Sequence, residues 1–211
     1  MADLRDYEQW HRAYNDPSSS LSWRLRTVQR FIEQALDRHL GPVRVLSACA
    51  GDGRDLLEVL ARRDDASRVS ATLVELHTGI AGRARRHGAT TAAQVEVRAA
   101  DAGLSDTYIG AVPAKLVLLV GIFGNISNAD LQRTVAAAPQ LCDRAATLLW
   151  SRGCHDADRN GDVRRWFAAA GFTELDYVAL ETGSRPAVGV VRYDGPPRPL
   201  VAGRHLFTFV R

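Results

Sequence analysis

An α/β fold on a mostly parallel sheet is predicted by three features of this 211-residue chain. First, residues 43–55 (VRVLSACAGDGRD) run from an apolar strand through a small-residue turn into a helix start. An acid, Glu75, closes the next apolar run about 20 residues later, the layout by which a βαβ unit grips a nucleotide-type ligand. Second, strand-like and helix-like stretches alternate from there onward, which implies right-handed crossovers with helices on both sheet faces. Third, the run LVLLV at 116–120 is apolar on both faces and reads as a central strand.

Taken in order, residues 1–41 read as an N-terminal helical cap and 42–211 as the sheet domain. The cap is expected to hold a short helix over 3–15 and a second from Pro17 or Ser20 to Leu40, because Leu21, Leu25, Val28, Ile32, Leu36 and Leu40 recur at three- and four-residue steps. Asp16 and Pro17 form the expected cap and first-turn pair, and Gly41-Pro42 the stop. VRVLSA then leads to a helix over 53–63, SATLVE to one over 78–87, and QVEVRA ends near Asp101. KLVLLVG leads to a helix over 128–138, ATLLWS to one over 162–170, and FTELDYVAL is the sixth strand. RYDGPPRPL reads as a turn, with HLFTFVR (205–211) as the last strand; a return without a helix favours an antiparallel partner.

Composition narrows the function classes. With 46% hydrophobic and 24% charged residues the chain is ordinary for a soluble globular protein. The net charge of +3 is spread over interleaved acids and arginines with no dense basic run, so no nucleic-acid partner is expected. The three cysteines, Cys49, Cys142 and Cys154, form no CxxC pair; neither a disulfide framework nor a metal knuckle is indicated, and the cytoplasm is the expected compartment. The N-terminus has no secretory-signal pattern, and the longest apolar run, 116–123, is well short of the ~20 residues a membrane helix needs.

The chemistry-bearing residues cluster after the first strand. Ala48, Ala50, Gly51 and Gly53 keep the turn free of bulk, so that a ligand can approach the backbone and the helix start. Glu75, at the neighbouring strand end, suits a pair of ribose hydroxyls. Several nucleotide cofactors use such parts, but the register Gly51-x-Gly53-x-x-Leu56 puts leucine where the dinucleotide fingerprint needs its third glycine, which counts against NAD.

With VLSACAGDGRD, LVELH, RAADAG, LLVGIFGNI, WFAAAGF and HLFTFVR in this order, the chain from Val43 to Arg211 resembles the class I S-adenosylmethionine-dependent methyltransferases. The resemblance implies a Rossmann-like, seven-stranded, mostly parallel sheet of order 3-2-1-4-5-7-6 with the last strand antiparallel. It implies S-adenosylmethionine as cofactor and S-adenosylhomocysteine as product. Gly51 and Gly53 would pass under the methionine part, with Ser47, Ala48, Ala50 and Gly121 around it. Glu75 would take the ribose, Leu76 the adenine face, and Asp101 the adenine amino group, with Ala102 nearby. Ser47 and Cys49 stand where the family often has an acid and a glycine.

The loop GIFGNIS lacks the Asn-Pro-Pro-aromatic signature of enzymes that methylate nucleobase or glutamine amino groups, and no Asp-rich constellation for magnesium is evident, so a metal-free enzyme with a small-molecule acceptor is expected, placed in specialised metabolism. Phe123, Asn125 and Trp150 border the expected methyl position, Trp10 and Tyr14 of the cap close the acceptor pocket, and His155 is the candidate general base. Two alternatives use the same cofactor: attack on the methionine Cγ with release of methylthioadenosine, by aminocarboxypropyl transfer or ring closure, and a non-catalytic S-adenosylmethionine-binding protein. A ribosomal-RNA methyltransferase is a further alternative.

Overall fold

The computed structural model describes residues 16, 18–153, 159–180 and 185–210. Its elements in chain order are α1 (Ser20–Arg38), β1 (Val43–Ala48), α2 (Arg54–Ala61), β2 (Val69–Val74), α3 (Thr78–Gly88), β3 (Gln94–Arg98), β4 (Ala114–Leu119), α4 (Asn128–Ala137), β5 (Cys142–Arg152), α5 (Asn160–Ala169), β6 (Phe172–Ala179) and β7 (Ala187–Tyr193). They form one seven-stranded sheet of order β3-β2-β1-β4-β5-β7-β6. The first five strands are parallel, and β7 runs antiparallel between β5 and β6.

The central strand explains the layering. Leu116 and Leu118 of β4 point into one core with α1, α2 and α3, while Val117 and Leu119 point into a second core with α4 and α5. A strand buried on both faces cannot alternate polar and apolar residues, hence its continuous apolar run. Gly189 of β7 pairs with Trp150 of β5, and a β-carbon on that glycine would clash with the Trp150 ring. The missing side chain makes room for the largest side chain of the core.

Of the two expected starts of α1 the structure has Ser20, while the expected cap and the expected end move. The N-cap of α1 is Ser19, whose hydroxyl accepts from the Ser22 amide at 3.1 Å. Asp16 instead closes the turn before it, accepting from the Ser18 amide and hydroxyl. At the other end α1 stops before Leu40, which is 95% exposed, because the Arg68 guanidinium satisfies the carbonyls of Leu36, His39 and Gly41. Gln29 fastens α1 to α2 through the Arg54 carbonyl and the Glu58 carboxylate. The side chains of Val28, Ile32 and Leu36 share a core with Val43 and Leu57.

The last strand is a correction. β7 is AVGVVRY, joined to β6 by residues 180–186, and HLFTFVR is not part of the sheet. Residues 203–210 make single bridges at His205 to Leu104 and Phe209 to Ile126. They run between α4 and the β3–β4 connection, which carries only a short 3-10 turn, Ser105–Tyr108. Leu206 and Phe207 are buried with Tyr108, Val117 and Trp150, covering core that such a short crossover leaves open.

Candidate functional site

β1 and β4 are parallel neighbours at the point where the strand order reverses, where an open α/β fold forms its crevice. The turn after β1 is held by backbone bonds from Ala50 to Val74 and from Gly53 to Ala50. Gly53 sits at φ +77° as the N-cap of α2, and a β-carbon there would meet Leu57 at 2.6 Å and Leu73 at 2.7 Å. Gly51 also has positive φ, +60°, but a β-carbon on it would meet nothing within 4 Å. One glycine is required by close packing and the other borders open space.

Glu75 organises the rim. Its Oε2 accepts from the Gly51 amide at 3.0 Å and its Oε1 from the His77 amide at 2.8 Å, so the carboxylate bridges the ends of β1 and β2. Each carboxylate oxygen has two lone pairs, leaving acceptor capacity for ligand hydroxyls. Beside it Leu76 is 67% exposed, a large apolar side chain presented to solvent at the strand end. The neighbouring loop is shaped by Asp101, whose Oδ1 accepts from the Gly103 amide at 2.7 Å and whose carbonyl accepts from Thr107. Ala102 is buried, its carbonyl bound by the Tyr108 hydroxyl.

Cys49 has φ +53°, a left-handed position that favours glycine. Burial first, then the negative charges of Glu75 and Asp101, push its thiol pKa up, so the thiol stays neutral and is no nucleophile. The same pattern of burial, Cys49 and Asp101 raises the Tyr108 phenol. The Asp101 charge thus bears on both Cys49 and Tyr108, and the Glu75 charge on Cys49.

Across the crevice, the Gly121 amide donates to Ser151 Oγ at 2.9 Å, and the Asn125 side chain donates to the Gly121 carbonyl at 2.8 Å. Gly121 has φ +78°, and a β-carbon there would lie 3.7 Å from the Arg24 guanidinium of α1. Ser47 and Ala48 are buried at the end of β1. The structure thus brings together Ser47, Ala48, Ala50, Gly51, Gly53, Glu75, Leu76, Asp101 and Ala102 along the carboxyl ends of β1 to β3, with Gly121 and Asn125 after β4.

Phe123 and Trp150 are placed differently. Both are fully buried, 6.1 Å apart between ring centroids, and both pack on Phe167 of α5. A pocket wall needs accessible surface, so these rings serve the core beneath the loops. Trp10, Tyr14 and His155 lie outside the described residues. Ser151 and Tyr108 were not anticipated: a strand serine that fixes a loop amide and a tyrosine that fixes a loop carbonyl carry no motif. Among the described residues, no group of three or more His, Cys, Asp or Glu side chains is arranged to hold a metal, and no helix is long and apolar enough to cross a membrane.

No protein-family model and no curated protein match the chain. Solved structures do share its fold. Magnesium protoporphyrin IX methyltransferase from Synechocystis, solved with S-adenosylmethionine bound, superposes with a TM-score of 0.70 at 14% identity over 91% of this chain and 93% of its own. The 1,6-didemethyltoxoflavin-N1-methyltransferase of Burkholderia thailandensis, solved with its acceptor and S-adenosylhomocysteine, has a TM-score of 0.61 at 18% identity, covering 92% of each chain. The 4+2 cyclase SpnF has a TM-score of 0.58 at 13% identity over 79% of this chain and 80% of its own. The fold is that of the Rossmann-like class I methyltransferases.

Proposed function

We propose that this chain is a cytoplasmic S-adenosylmethionine-dependent methyltransferase acting on a small-molecule acceptor of specialised metabolism. The observation that carries the reading is the Glu75 carboxylate, anchored to the Gly51 amide beside open space over the turn. An acid held there by backbone amides presents its remaining lone pairs to two adjacent hydroxyls, as a ribose offers. Leu76 then lies against the adenine, where its exposed side chain would lose contact with water. Asp101, with Oδ1 already bound to Gly103, keeps Oδ2 for the adenine amino group. Gly51 and Gly53 pass under the methionine arm, with Gly121 on its far side. The donor sites of two structural neighbours, which hold S-adenosylmethionine and S-adenosylhomocysteine, support the choice of cofactor.

Bound there, the cofactor supplies a methyl group already activated on a sulfonium. The protein's part is to align an acceptor in line with that methyl and keep water away, and orientation of this kind can contribute about 7–11 kcal/mol. Asn125 borders the acceptor side, and Trp10, Tyr14 and His155 are proposed to complete it, His155 as the base where the acceptor must lose a proton. A second reading, a reaction other than methyl transfer, has one observation in its favour: a 4+2 cyclase shares the fold, so the fold does not fix the chemistry.

Replacing Glu75 by Ala tests the assignment. Calorimetry should give at least a tenfold weaker affinity for S-adenosylhomocysteine, the order expected for losing charge-assisted hydrogen bonds, with the circular-dichroism spectrum unchanged. Equal affinity in the folded variant removes Glu75 from the ribose.

A further inference from the structure

The segment that the sequence pattern assigns to the sheet is fastened instead across the candidate site's two loops. It begins where the Val201 amide donates to Gln140 Oε1 and the Gly203 amide to Asp106 Oδ1. Arg204 and Ser105 exchange hydrogen bonds, the Ser105 amide to the Arg204 carbonyl and the Arg204 amide to Ser105 Oγ. The Leu206 amide then donates to the Gly103 carbonyl at 2.7 Å. Along α4, Arg133 holds the His205 carbonyl, Thr134 the Leu206 carbonyl, and Asp130 accepts from the Thr208 amide. Finally the Val210 amide donates to the Asn125 carbonyl at 2.8 Å.

Each end of this path touches a neighbour of a group assigned to the donor site, Gly103 beside Asp101 and Asn125 on Gly121. Gly103 is the residue whose amide orients Asp101 Oδ1, and its carbonyl is bound by the segment. The contact is so close that a β-carbon on Gly103 would clash with the Phe207 carbonyl oxygen, a backbone atom that cannot swing aside as a side chain can. Gly103 has no positive φ, so this approach is what demands glycine. At the far end, Asn125 is held between the Val210 amide and the Gly121 carbonyl.

We propose that residues 203–210 are a positioning strap for the cofactor site: by gripping Gly103 they fix the Asp101 carboxylate at its nucleoside end, and by gripping Asn125 they fix the Gly121 loop at its methionine end. The proposal rests on the donor-site reading above. The strap touches no ligand itself and acts through Gly103 on Asp101. A β-strand in the sheet could not do this, because it would end beside β5 and β6, away from the loop after β3.

The experiment is a double-mutant cycle read by calorimetry with S-adenosylhomocysteine and with adenosine. Gly103→Ala should bind both about tenfold more weakly than the unmodified protein, in the range for a misplaced charge-assisted hydrogen bond. Asp101→Ala should lose at least as much, and the double variant no more than Asp101→Ala alone, since contacting residues in one chain of interactions are non-additive. Wild-type affinity in Gly103→Ala, or a loss that adds to that of Asp101→Ala, overturns the strap. Should Gly103→Ala fail to fold, Val210→Pro removes the donor to the Asn125 carbonyl at an exposed position; several-fold weaker S-adenosylhomocysteine binding supports the proposal and unchanged binding refutes it. Failure of the unmodified protein to bind either ligand instead sinks the donor-site reading.

Discussion

Gly51 and Gly53 are two residues apart and both have positive φ, yet alanine at each should fail in a different way. At Gly53 the added methyl must enter space occupied by Leu57 and Leu73, at 2.6 and 2.7 Å, with φ at +77°. The left-handed backbone costs about 1–2 kcal/mol for a residue with a β-carbon, and overpacking adds about 1–3 kcal/mol. The sum, about 2–5 kcal/mol, corresponds to a fall in Tm of roughly 5–20 °C for a domain of this size. At Gly51 the backbone term is the same, but the methyl meets nothing within 4 Å, so the loss of Tm should stay within roughly 2–8 °C. That methyl instead occupies the space proposed for the methionine arm. Differential scanning calorimetry and S-adenosylhomocysteine titration of the pair should therefore separate: Gly53→Ala mainly destabilised, Gly51→Ala mainly unable to bind. Unimpaired binding in Gly51→Ala would refute the placement of the cofactor over this turn.

Two further outcomes follow from charged groups around α1 and α2. Burial, partly offset by the Arg24 charge, raises the pKa of Asp55, and its Oδ1 is buried with no hydrogen-bond partner among the described residues. The unfolded chain then ionises Asp55 at lower pH than the folded one does, so its contribution is fully present below the ordinary carboxylate pKa and lost as pH rises through the raised value. Asp55→Asn should accordingly be more stable than the unmodified protein at pH 7, with the advantage shrinking toward pH 4; a Tm difference independent of pH would contradict this. Arg68→Ala strips the donors from the Leu36, His39 and Gly41 carbonyls and should cost about 2 kcal/mol in urea unfolding. An unchanged midpoint would mean that water replaces the guanidinium without loss.

How much of this was legible in sequence depended on whether the signal was local. The parallel core was, because each apolar run carries its own length and periodicity, and the turn from Ser47 to Gly53 with Glu75 beyond it is a contiguous chemical pattern. The cap of α1 differs from the expected one because Asp16 and Ser19 are both good caps, and the Asp16 carboxylate binds Ser18 while Ser19 accepts from the Ser22 amide. HLFTFVR carries a strand's alternation and is extended, but no position beside β5 was open to it once AVGVVRY had filled the hairpin with β6. The latter run was overlooked because its glycine, which Trp150 requires, weakens a strand signal. Phe123 and Trp150 illustrate a related limit: sequence places them at loop and strand ends but does not say which way an aromatic ring turns, and α5 draws both inward.

The central claim is tested most directly by mass spectrometry of the nucleosides formed when purified protein is incubated with S-adenosylmethionine, alone and with a panel of small phenols, amines and acids. Methyl transfer predicts S-adenosylhomocysteine that appears only when an acceptor is present, together with the methylated acceptor. Methylthioadenosine above the enzyme-free rate, with no S-adenosylhomocysteine, would contradict methyl transfer and assign the chemistry to the methionine Cγ.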